Sequence, residues 1–359
     1  MMKLSNFLSL SLFIFLALRG GASDAGAAGR TTGKWSNPLA ISSPSLNNAY
    51  IALQAWKSAI KDDPKGILNS WVGSNVCDYK GVFCTNSLVA GIDLNHAGLE
   101  GTLVKELSLL KDMSLLHLNT NRLSGTIPDT LRDLSALTEL DLSNNQFSGP
   151  FPTITLQIPN LVYLDLRYNL FSGPIPDQVF NKNLDAILLN NNNFNGPIPQ
   201  SLTNSPASVI NLANNKLTGD IPISFGYSSP GLKEILFLNN QLTGCIPQGI
   251  GLWSDLQVFD ASFNSLMGHM PDSVSCLEDI EVLNVAHNKL SGFSQECAKL
   301  YGRNVGFDFA LNCIPGREMQ RPEPECDMVP GGSLSCLRIP SLKSLSCGAL
   351  LRSLDSSNP

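Results

Sequence analysis

The chain is 359 residues long, 43% of its residues are hydrophobic and 15% are charged, and its formal net charge is −6 at pH 7. This length and apolar content are enough for a sizeable hydrophobic core. The acidic balance disfavours nucleic acid as a partner and suits a basic one.

The first residues have the pattern of a secretory signal peptide. Lys3 precedes an apolar run over 7–18, and small residues follow. We assign residues 1–23 to this signal, with cleavage expected between 20 and 28. No later apolar stretch reaches the roughly 18 residues that a membrane-spanning helix needs. We therefore expect a secreted, soluble mature chain that begins with a flexible linker over 24–45.

Residues 46–86 are predicted to form an amino-terminal cap. Apolar residues recur there at spacings that suit a helix with one apolar face, broken at Pro64. These residues are Ile51, Leu53, Trp56, Ile60 and Ile67. Such a helix would close the first unit of whatever follows it.

A motif close to N-x-L-x-G-x-[IL]-P then returns every 23 to 25 residues. Its asparagines are Asn121, Asn145, Asn169, Asn192, Asn215, Asn240, Asn264 and Asn288. A fixed period of this length is typical of one supersecondary unit that is stacked repeatedly. With one weaker unit at each end, the pattern predicts an α/β repeat fold over 87–313: a leucine-rich-repeat solenoid of ten coils with a parallel β-sheet on its concave face.

Each repeat position has a mechanical role. Leu140 and Leu142 alternate with outward residues, as in a strand that is buried on one side. Asn145 is expected to point inward and bind backbone groups of the neighbouring coil. Gly149 and Pro152 shape the turn that follows.

Nine cysteines in a chain with a signal peptide indicate structural disulfides. Cys77 and Cys84 flank the start of the repeats, and we predict that they pair. For Cys245 and Cys276 three outcomes stay open: they pair with each other, pair elsewhere or remain thiols. The carboxyl-terminal group has unknown connectivity and consists of Cys297, Cys313, Cys326, Cys336 and Cys347.

These carboxyl-terminal cysteines predict a disulfide-rich cap over 314–347, followed by a flexible tail over 348–359. Because nine is odd, at least one cysteine lacks a partner within the chain. A thiol of this group that links two chains would give a homodimer.

The segments "SNVCDYKGVFC", "VAGIDLNHAGLEGTL" and "NCIPGREMQRPEPEC" resemble the amino-terminal repeat region of plant leucine-rich-repeat extensins. The resemblance covers roughly residues 46 to 326. It implies recognition of small, basic, cysteine-rich signalling peptides of the rapid alkalinization factor type, and it also implies dimers. Extensins proper continue into runs of Ser followed by several Pro, which tie them into the wall. Residues 327–359 contain no such run, so we do not expect wall attachment by that module.

The strand pattern also assigns outward positions, which we expect to form a partner-binding surface. Carboxylates occupy both ends of this surface and apolar residues its middle. The predicted binding residues are Glu139, Asp141, Tyr163, Asp165, Tyr168, Leu188, Leu236, Leu238, Asp260 and Phe263. A basic peptide would be attracted by the carboxylates and then bury apolar side chains against the aromatic and leucine residues. Arg167 and Lys233 are expected at the rim of this surface or as partners of its acids.

Catalytic signatures are absent from the sequence, since it has no H-E-x-x-H motif, P-loop or kinase motif set. We therefore expect no enzyme activity, no cofactor and no metal. The sequence favours a secreted peptide-binding protein of the cell wall or apoplast, acting with a membrane receptor complex. Two alternatives stay open: an inhibitor of a wall-degrading enzyme, like polygalacturonase inhibitors, or a structural component that contacts wall polysaccharide.

Overall fold

The computed structural model describes residues 44–226, 231–293, 297 and 299–327. The predicted signal peptide, the tail, Cys336 and Cys347 lie outside these residues, as does most of the predicted linker. Pro44 and Ser45, which the sequence assigns to that linker, already belong to the first helix. In the part of the chain that is described, no helix has both the length and the apolar character to cross a membrane.

The main element is an eleven-stranded sheet in which one antiparallel edge strand precedes ten parallel strands. This is the leucine-rich-repeat solenoid that the period predicts, with one parallel strand per coil. The strands of this sheet, in spatial order, are β2 (Val82–Thr85), β3 (Leu88–Asp93), β5 (Leu115–His117), β7 (Glu139–Asp141), β9 (Tyr163–Asp165), β11 (Ala186–Leu188), β13 (Val209–Asn211), β15 (Glu234–Leu236), β17 (Val258–Asp260), β19 (Val282–Asn284) and β21 (Gly306–Asp308).

A second set of short strands follows the ladder asparagines and lies beside the first sheet in each coil. Eight of these strands form one sheet: β1 (Ile60–Asp62), β4 (Glu100–Thr102), β6 (Arg122–Gly125), β8 (Gln146–Gly149), β10 (Leu170–Gly173), β12 (Asn193–Pro197), β14 (Lys216–Asp220) and β16 (Gln241–Thr243). Two further strands pair separately, β18 (Met267–Met270) and β20 (Lys289–Phe293).

The coils are closed by short helices on the side away from the strands. One of these is α2 (Gln178–Asn181). The others are 3-10 helices at Lys105–Leu109, Asp129–Asp133, Thr153–Gln157, Gln200–Asn204, Gln248–Leu252, Asp272–Cys276 and Lys299–Arg303.

Between these layers runs a continuous apolar core built from the inward repeat positions. Leu140, Leu142 and Phe147 are fully buried, as the alternation predicts. The ladder asparagine is buried with them: Asn145 Nδ2 donates to the carbonyl oxygen of Leu118 in the preceding coil at 2.8 Å. Its Oδ1 accepts from the backbone N–H of Leu123 at 3.0 Å. The side chain thus satisfies backbone groups that strand pairing leaves open.

The amino-terminal cap contains the predicted helix, α1 (Pro44–Ala59), but with a different apolar face. Leu53 and Trp56 are buried, whereas Ile51 is 44% exposed. The helix ends five residues before Pro64 because Ile60 leaves it to pair with Gly101 in an antiparallel strand. The end of α1 lies close against β4 here, because a Cβ atom at Gly101 would collide with the carbonyl oxygen of Ala59. The assignments of Ile51 and Ile60 to one helical face were therefore wrong.

Disulfides lie at both ends of the described repeats. The predicted Cys77–Cys84 bridge is present beside the first coil. Cys313 pairs with Cys326, which belongs to α3 (Glu323–Asp327).

The remaining described cysteines divide into two kinds. Cys245 and Cys276 are both disulfide-bonded, which excludes the thiol outcome for them. Cys297 is fully buried, and its Sγ donates a hydrogen bond to the carbonyl oxygen of Pro271 at 3.3 Å.

Candidate functional site

We call the solvent side of the eleven-stranded sheet the outer face. Its strands are in register, so that residues from successive coils stand in columns about 4.8 Å apart. The last position of each parallel strand forms what we call the central column. It runs through Asp93, His117, Asp141, Asp165, Leu188, Asn211, Leu236, Asp260, Asn284 and Asp308, in the order that the repeat predicts.

The amino-terminal part of the outer face is acidic and accessible. Glu139 is 49% exposed at its side chain, and its Oε2 lies 3.0 Å from Nε2 of His117 on the neighbouring strand. Asp141 is partly exposed, and its Oδ1 accepts hydrogen bonds from the backbone N–H and the hydroxyl of Ser143 at 2.9 and 2.6 Å. These bonds fix the carboxylate in place through Oδ1.

Asp165 corrects the sequence prediction, because its side chain is buried rather than presented to solvent. Its Oδ2 lies 2.8 Å from Nε of Arg167, and the Tyr163 hydroxyl donates to the same oxygen at 3.3 Å. Burial, followed by the charge of Asp141, raises the pKa of Asp165 to about 7. Burial and the nearby carboxylates also raise the pKa of Tyr163. Arg167 is therefore an internal partner of an acid, as predicted, and Asp165 is not an accessible carboxylate.

Leu188 is a second correction, since only 9% of it is exposed. It stands in register between Asp165 and Asn211, and side chains at this separation cover one another. Leu236, which is two strands further along, and Leu238, which follows it, are half-buried and accessible. The apolar middle of the outer face is thus smaller than the sequence predicts.

Tyr168 and Phe263 lie at the corner after the strand, not on the strand itself. They are 50% and 49% exposed. Both have left-handed backbone angles, with φ of 53° and 54°. The residue before each ladder position has this conformation in every described coil: His96, Thr120, Asn144, Tyr168, Asn191, Asn214, Asn239, Phe263, His287 and Leu311.

Left-handed angles are costly for residues other than Gly, Asn and Asp. Asparagine fills this position in four coils, whereas aromatic rings fill it at Tyr168 and Phe263. Phe263 stacks on the ring of His287 in the next coil, with centroids 4.0 Å apart. The sequence motif could have revealed the column, because asparagine recurs directly before the ladder asparagine.

The carboxyl-terminal part of the outer face is also acidic. Asp260 is partly buried, and burial raises its pKa. It is held by the Ser262 backbone N–H and hydroxyl at 2.9 and 2.6 Å and by Asn284 Nδ2 at 3.1 Å. Asp308 stands two strands beyond Asp260 in the same column. Among the described residues, no group of three or more His, Cys, Asp or Glu side chains has a metal-binding arrangement.

Among the described residues, two buried side-chain atoms on this side of the sheet make no hydrogen bond: Arg167 Nε, which is ion-paired with Asp165, and Asn190 Oδ1. The side chain of Asn190 is 7% exposed, and its Oδ1 accepts no hydrogen bond. Strand alternation places Asn190 with Leu188 on the outer side of Leu189, which is fully buried. A buried acceptor without a donor is costly and uncommon. Sequence reasoning missed this residue because a missing hydrogen bond leaves no signal in the sequence.

Family models match the cap and the coils. A leucine-rich repeat N-terminal domain model matches residues 46–85, and leucine-rich repeat models match 111–171 and 208–228. Among curated relatives, leucine-rich repeat extensin-like protein 7 of Arabidopsis thaliana is 66% identical over 226 residues, which are 61% of this chain and 52% of the relative. Protein 6 of the same series and organism is 54% identical over 233 residues, 63% of this chain and 50% of the relative.

The repeat region is similar to leucine-rich repeat extensin-like proteins. This extensin-like chain spans about half the length of these two relatives.

Solved structures share the solenoid of the extensin-like chain. One is the ectodomain of the Arabidopsis thaliana receptor kinase GASSHO1/SCHENGEN3 in complex with CASPARIAN STRIP INTEGRITY FACTOR 2. This ectodomain is 27% identical to the chain, with a TM-score of 0.65. The match covers 75% of this chain and 36% of the ectodomain chain. Another is the plant peptide hormone receptor RGFR1 in complex with RGF2, 26% identical with a TM-score of 0.56, where 62% of this chain covers 40% of the receptor.

Proposed function

We propose that this extensin-like chain is an extracellular binding protein that recognises a small, basic, cysteine-rich signalling peptide of the rapid alkalinization factor type. The peptide binds the outer face, and no catalytic step is involved. The chain acts in the cell wall or apoplast, where a membrane receptor complex recognises the chain with its bound peptide.

The observation that carries this proposal is the pairing of accessible carboxylates with an exposed aromatic ring on one surface. Glu139 and Asp141 stand on β7, and Tyr168 lies one coil further on. Carboxylates raise the rate at which a basic partner arrives, and a half-exposed aromatic ring offers area that binding can bury. The formal net charge of −6 supports the same kind of partner.

The relatives and structural neighbours support the class of ligand. The extensin-like relatives match this chain over its repeat region. The two receptors that share its solenoid were solved in complex with CASPARIAN STRIP INTEGRITY FACTOR 2 and with RGF2. The same repeat architecture thus occurs in plant receptors that have been solved with a bound partner. The basic charge of the ligand is our inference from the carboxylates of this chain.

A direct binding measurement tests the proposal. The secreted chain is titrated with a recombinant, disulfide-bonded basic peptide of the rapid alkalinization factor type, and with the same peptide after its lysines are acetylated. We expect saturable binding of the first and at least tenfold weaker binding of the second, because acetylation removes the charge that the carboxylates attract. Equal affinity for both peptides, or binding of neither, would refute a role in recognising basic peptides.

A further inference from the structure

The short helices that close the coils, on the side away from the strands, share a hydrogen bond between neighbouring coils. The second residue of such a helix donates its hydroxyl to the carbonyl oxygen of the first residue in the preceding closing helix. Thr130 donates in this way to Lys105 at 2.8 Å, and Ser273 donates to Gln248 at 2.6 Å. Polar side chains of this layer thus link one coil to the next.

The coil closed by α2 departs from this arrangement. Gln178 stands at the repeat position of Thr130, two residues after the proline of the motif. Its side chain is exposed and makes no hydrogen bond within the described chain. The same holds for Gln157 in the preceding coil and for Asn181 and Asn183 at the end of α2. Four amide groups on this surface are therefore open to a ligand.

These four amides line one cleft between the Thr153–Gln157 helix and α2. The cleft has a volume of about 610 Å³. Sites for small ligands typically measure about 300–1,000 Å³, so this volume is large enough for one. Thr153 adds a hydroxyl to the lining, and Leu156 adds a half-buried apolar surface that packs against the core. We call this site the amide cleft.

The amide cleft offers little charge to a ligand. Of the described residues that line it, Lys182 alone is ionisable. Its Nζ donates to the carbonyl oxygen of Ile158 at 2.7 Å, and burial lowers the pKa of this ammonium group. An acidic ligand would meet only an ammonium group that already binds the backbone. Recognition in the cleft therefore depends on hydrogen bonds between uncharged groups.

Amide groups beside an apolar surface suit a neutral ligand that is rich in hydroxyl groups. Each amide donates and accepts hydrogen bonds, as each sugar hydroxyl does. The C–H face of a sugar ring can pack on Leu156 while the hydroxyls at the ring edge bind the amides. Gln200 and Asn204 are exposed on the next closing helix, so a chain of sugar units can continue beyond the cleft.

We propose that the amide cleft binds a neutral, hydroxyl-rich polysaccharide. This inference goes beyond the proposed function and does not depend on it, because peptide recognition uses the outer face and glycan binding uses the closing helices. A chain with both sites can hold a signalling peptide at a polysaccharide surface.

Affinity gel electrophoresis of the secreted chain tests the site. Native gels contain xyloglucan, galactomannan or polygalacturonate, and the retardation at increasing polysaccharide concentration gives an apparent dissociation constant. We expect retardation by a neutral polysaccharide and none by polygalacturonate. The retardation should be the same at low and high salt, because screening does not weaken contacts between uncharged groups.

A double substitution, Gln178→Ala with Asn181→Ala, places the binding in the cleft. It should weaken retardation by about tenfold, because two hydrogen bonds to the ligand are lost. The unfolding midpoint should remain that of the wild type, since both side chains are exposed and make no hydrogen bond in the described structure. The matched control Gln248→Ala removes an exposed glutamine from the closing helix of another coil and should keep wild-type retardation.

Three results would each overturn the glycan site: wild-type retardation of the double variant, retardation by polygalacturonate alone, or no retardation by either neutral polysaccharide. The same preparations are titrated with the disulfide-bonded basic peptide, which should bind the double variant as it binds the wild type. Retardation without peptide binding would refute the proposed function and leave the glycan site standing.

Discussion

At the scale of single residues, the ladder asparagine links neighbouring coils through hydrogen bonds. Asn169 Oδ1 accepts from the Phe147 N–H at 3.0 Å, and its Nδ2 donates to the Leu142 carbonyl at 2.9 Å. Both backbone groups belong to the preceding coil and are buried. The Asn169 side chain therefore supplies the hydrogen-bond partners that these two backbone groups would otherwise lack.

Asn169→Ala should lower the free energy of unfolding by about 2–4 kcal/mol, because it leaves a buried donor and a buried acceptor unsatisfied. The matched control is Asn195→Ala, which removes an exposed asparagine and should change stability by less than about 0.5 kcal/mol. Urea unfolding of both variants measures the difference. Similar values for the two would mean that the ladder does not stabilise the coils.

Asp165 makes stability depend on pH. Its pKa is about 7 in the folded chain and near 4 when unfolded, so the folded state binds the extra proton between these values. The contribution to stability is fully present below pH 4 and declines as pH rises to 7, by up to about 4 kcal/mol.

Thermal unfolding between pH 4 and pH 8 tests this direction. Asp165→Asn should show a flatter decline than the wild type. Asp93→Asn, in an exposed member of the same column with the same kind of backbone hydrogen bond, should keep the wild-type slope. Parallel slopes for all three proteins would show that Asp165 is ionised throughout this range.

Tyr168 carries a conformational cost that asparagine avoids. Its φ of 53° is the angle that Asn144, Asn191 and Asn214 adopt at the same repeat position. Tyr168→Asn should therefore stabilise the chain by about 1 kcal/mol while weakening binding of the basic peptide. Thr120→Asn, two coils earlier, should stabilise similarly and leave the affinity unchanged. A loss of stability in Tyr168→Asn would contradict the assignment of strain to this position.

At the scale of elements, the repeat period predicted which residues form strands and which point inward, because one pattern is imposed ten times. Alternation gives the direction of a side chain but not its exposure, which depends on the length of its neighbours. Asp165 and Leu188 were placed on the correct side of the sheet yet are covered by Arg167 and by adjacent strands. Whether a side chain is covered depends on residues of two adjacent coils, so the sequence pattern of a single coil does not reveal it.

The amino-terminal cap was harder to predict because it occurs once. Its helix was expected from apolar spacing, but the end of the helix is set by pairing of Ile60 with Gly101, which lies 41 positions later in the numbering. A contact of that kind overrides local propensity. The Asn190 acceptor was missed for a related reason, since a missing hydrogen bond has no signal in the sequence.

The Cys77–Cys84 bridge should stabilise the junction between the cap and the first coil. In the loop-closure description, a bridge that closes about eight residues contributes roughly 2–3 kcal/mol. Replacing both cysteines by serine should lower the unfolding midpoint accordingly. Mass spectrometry of unreduced peptides from the secreted protein should recover the linked pair, and recovery of both as free thiols would refute the bridge.

At the scale of the whole molecule, the outer face combines a fixed array with local exceptions. Ten coils supply nearly identical backbone positions, and differences in side chains alone decide charge and exposure along the face. The exceptions are concentrated on few coils: accessible acids at Glu139 and Asp141, a buried acid at Asp165 and an exposed ring at Tyr168. We infer that the solenoid sets spacing and that these exceptions set the choice of partner.

Association and dissociation rates of the disulfide-bonded basic peptide test this account most directly. Asp141→Asn should slow association and reduce its salt dependence, because it removes a steering charge. Tyr168→Ala should mainly speed dissociation, with a loss of about 1–3 kcal/mol in binding free energy. The matched controls Asp129→Asn and Tyr50→Ala alter an exposed acid and an exposed tyrosine away from the outer face and should behave as wild type. Wild-type rates for Asp141→Asn and Tyr168→Ala at both low and moderate salt would contradict binding at the outer face.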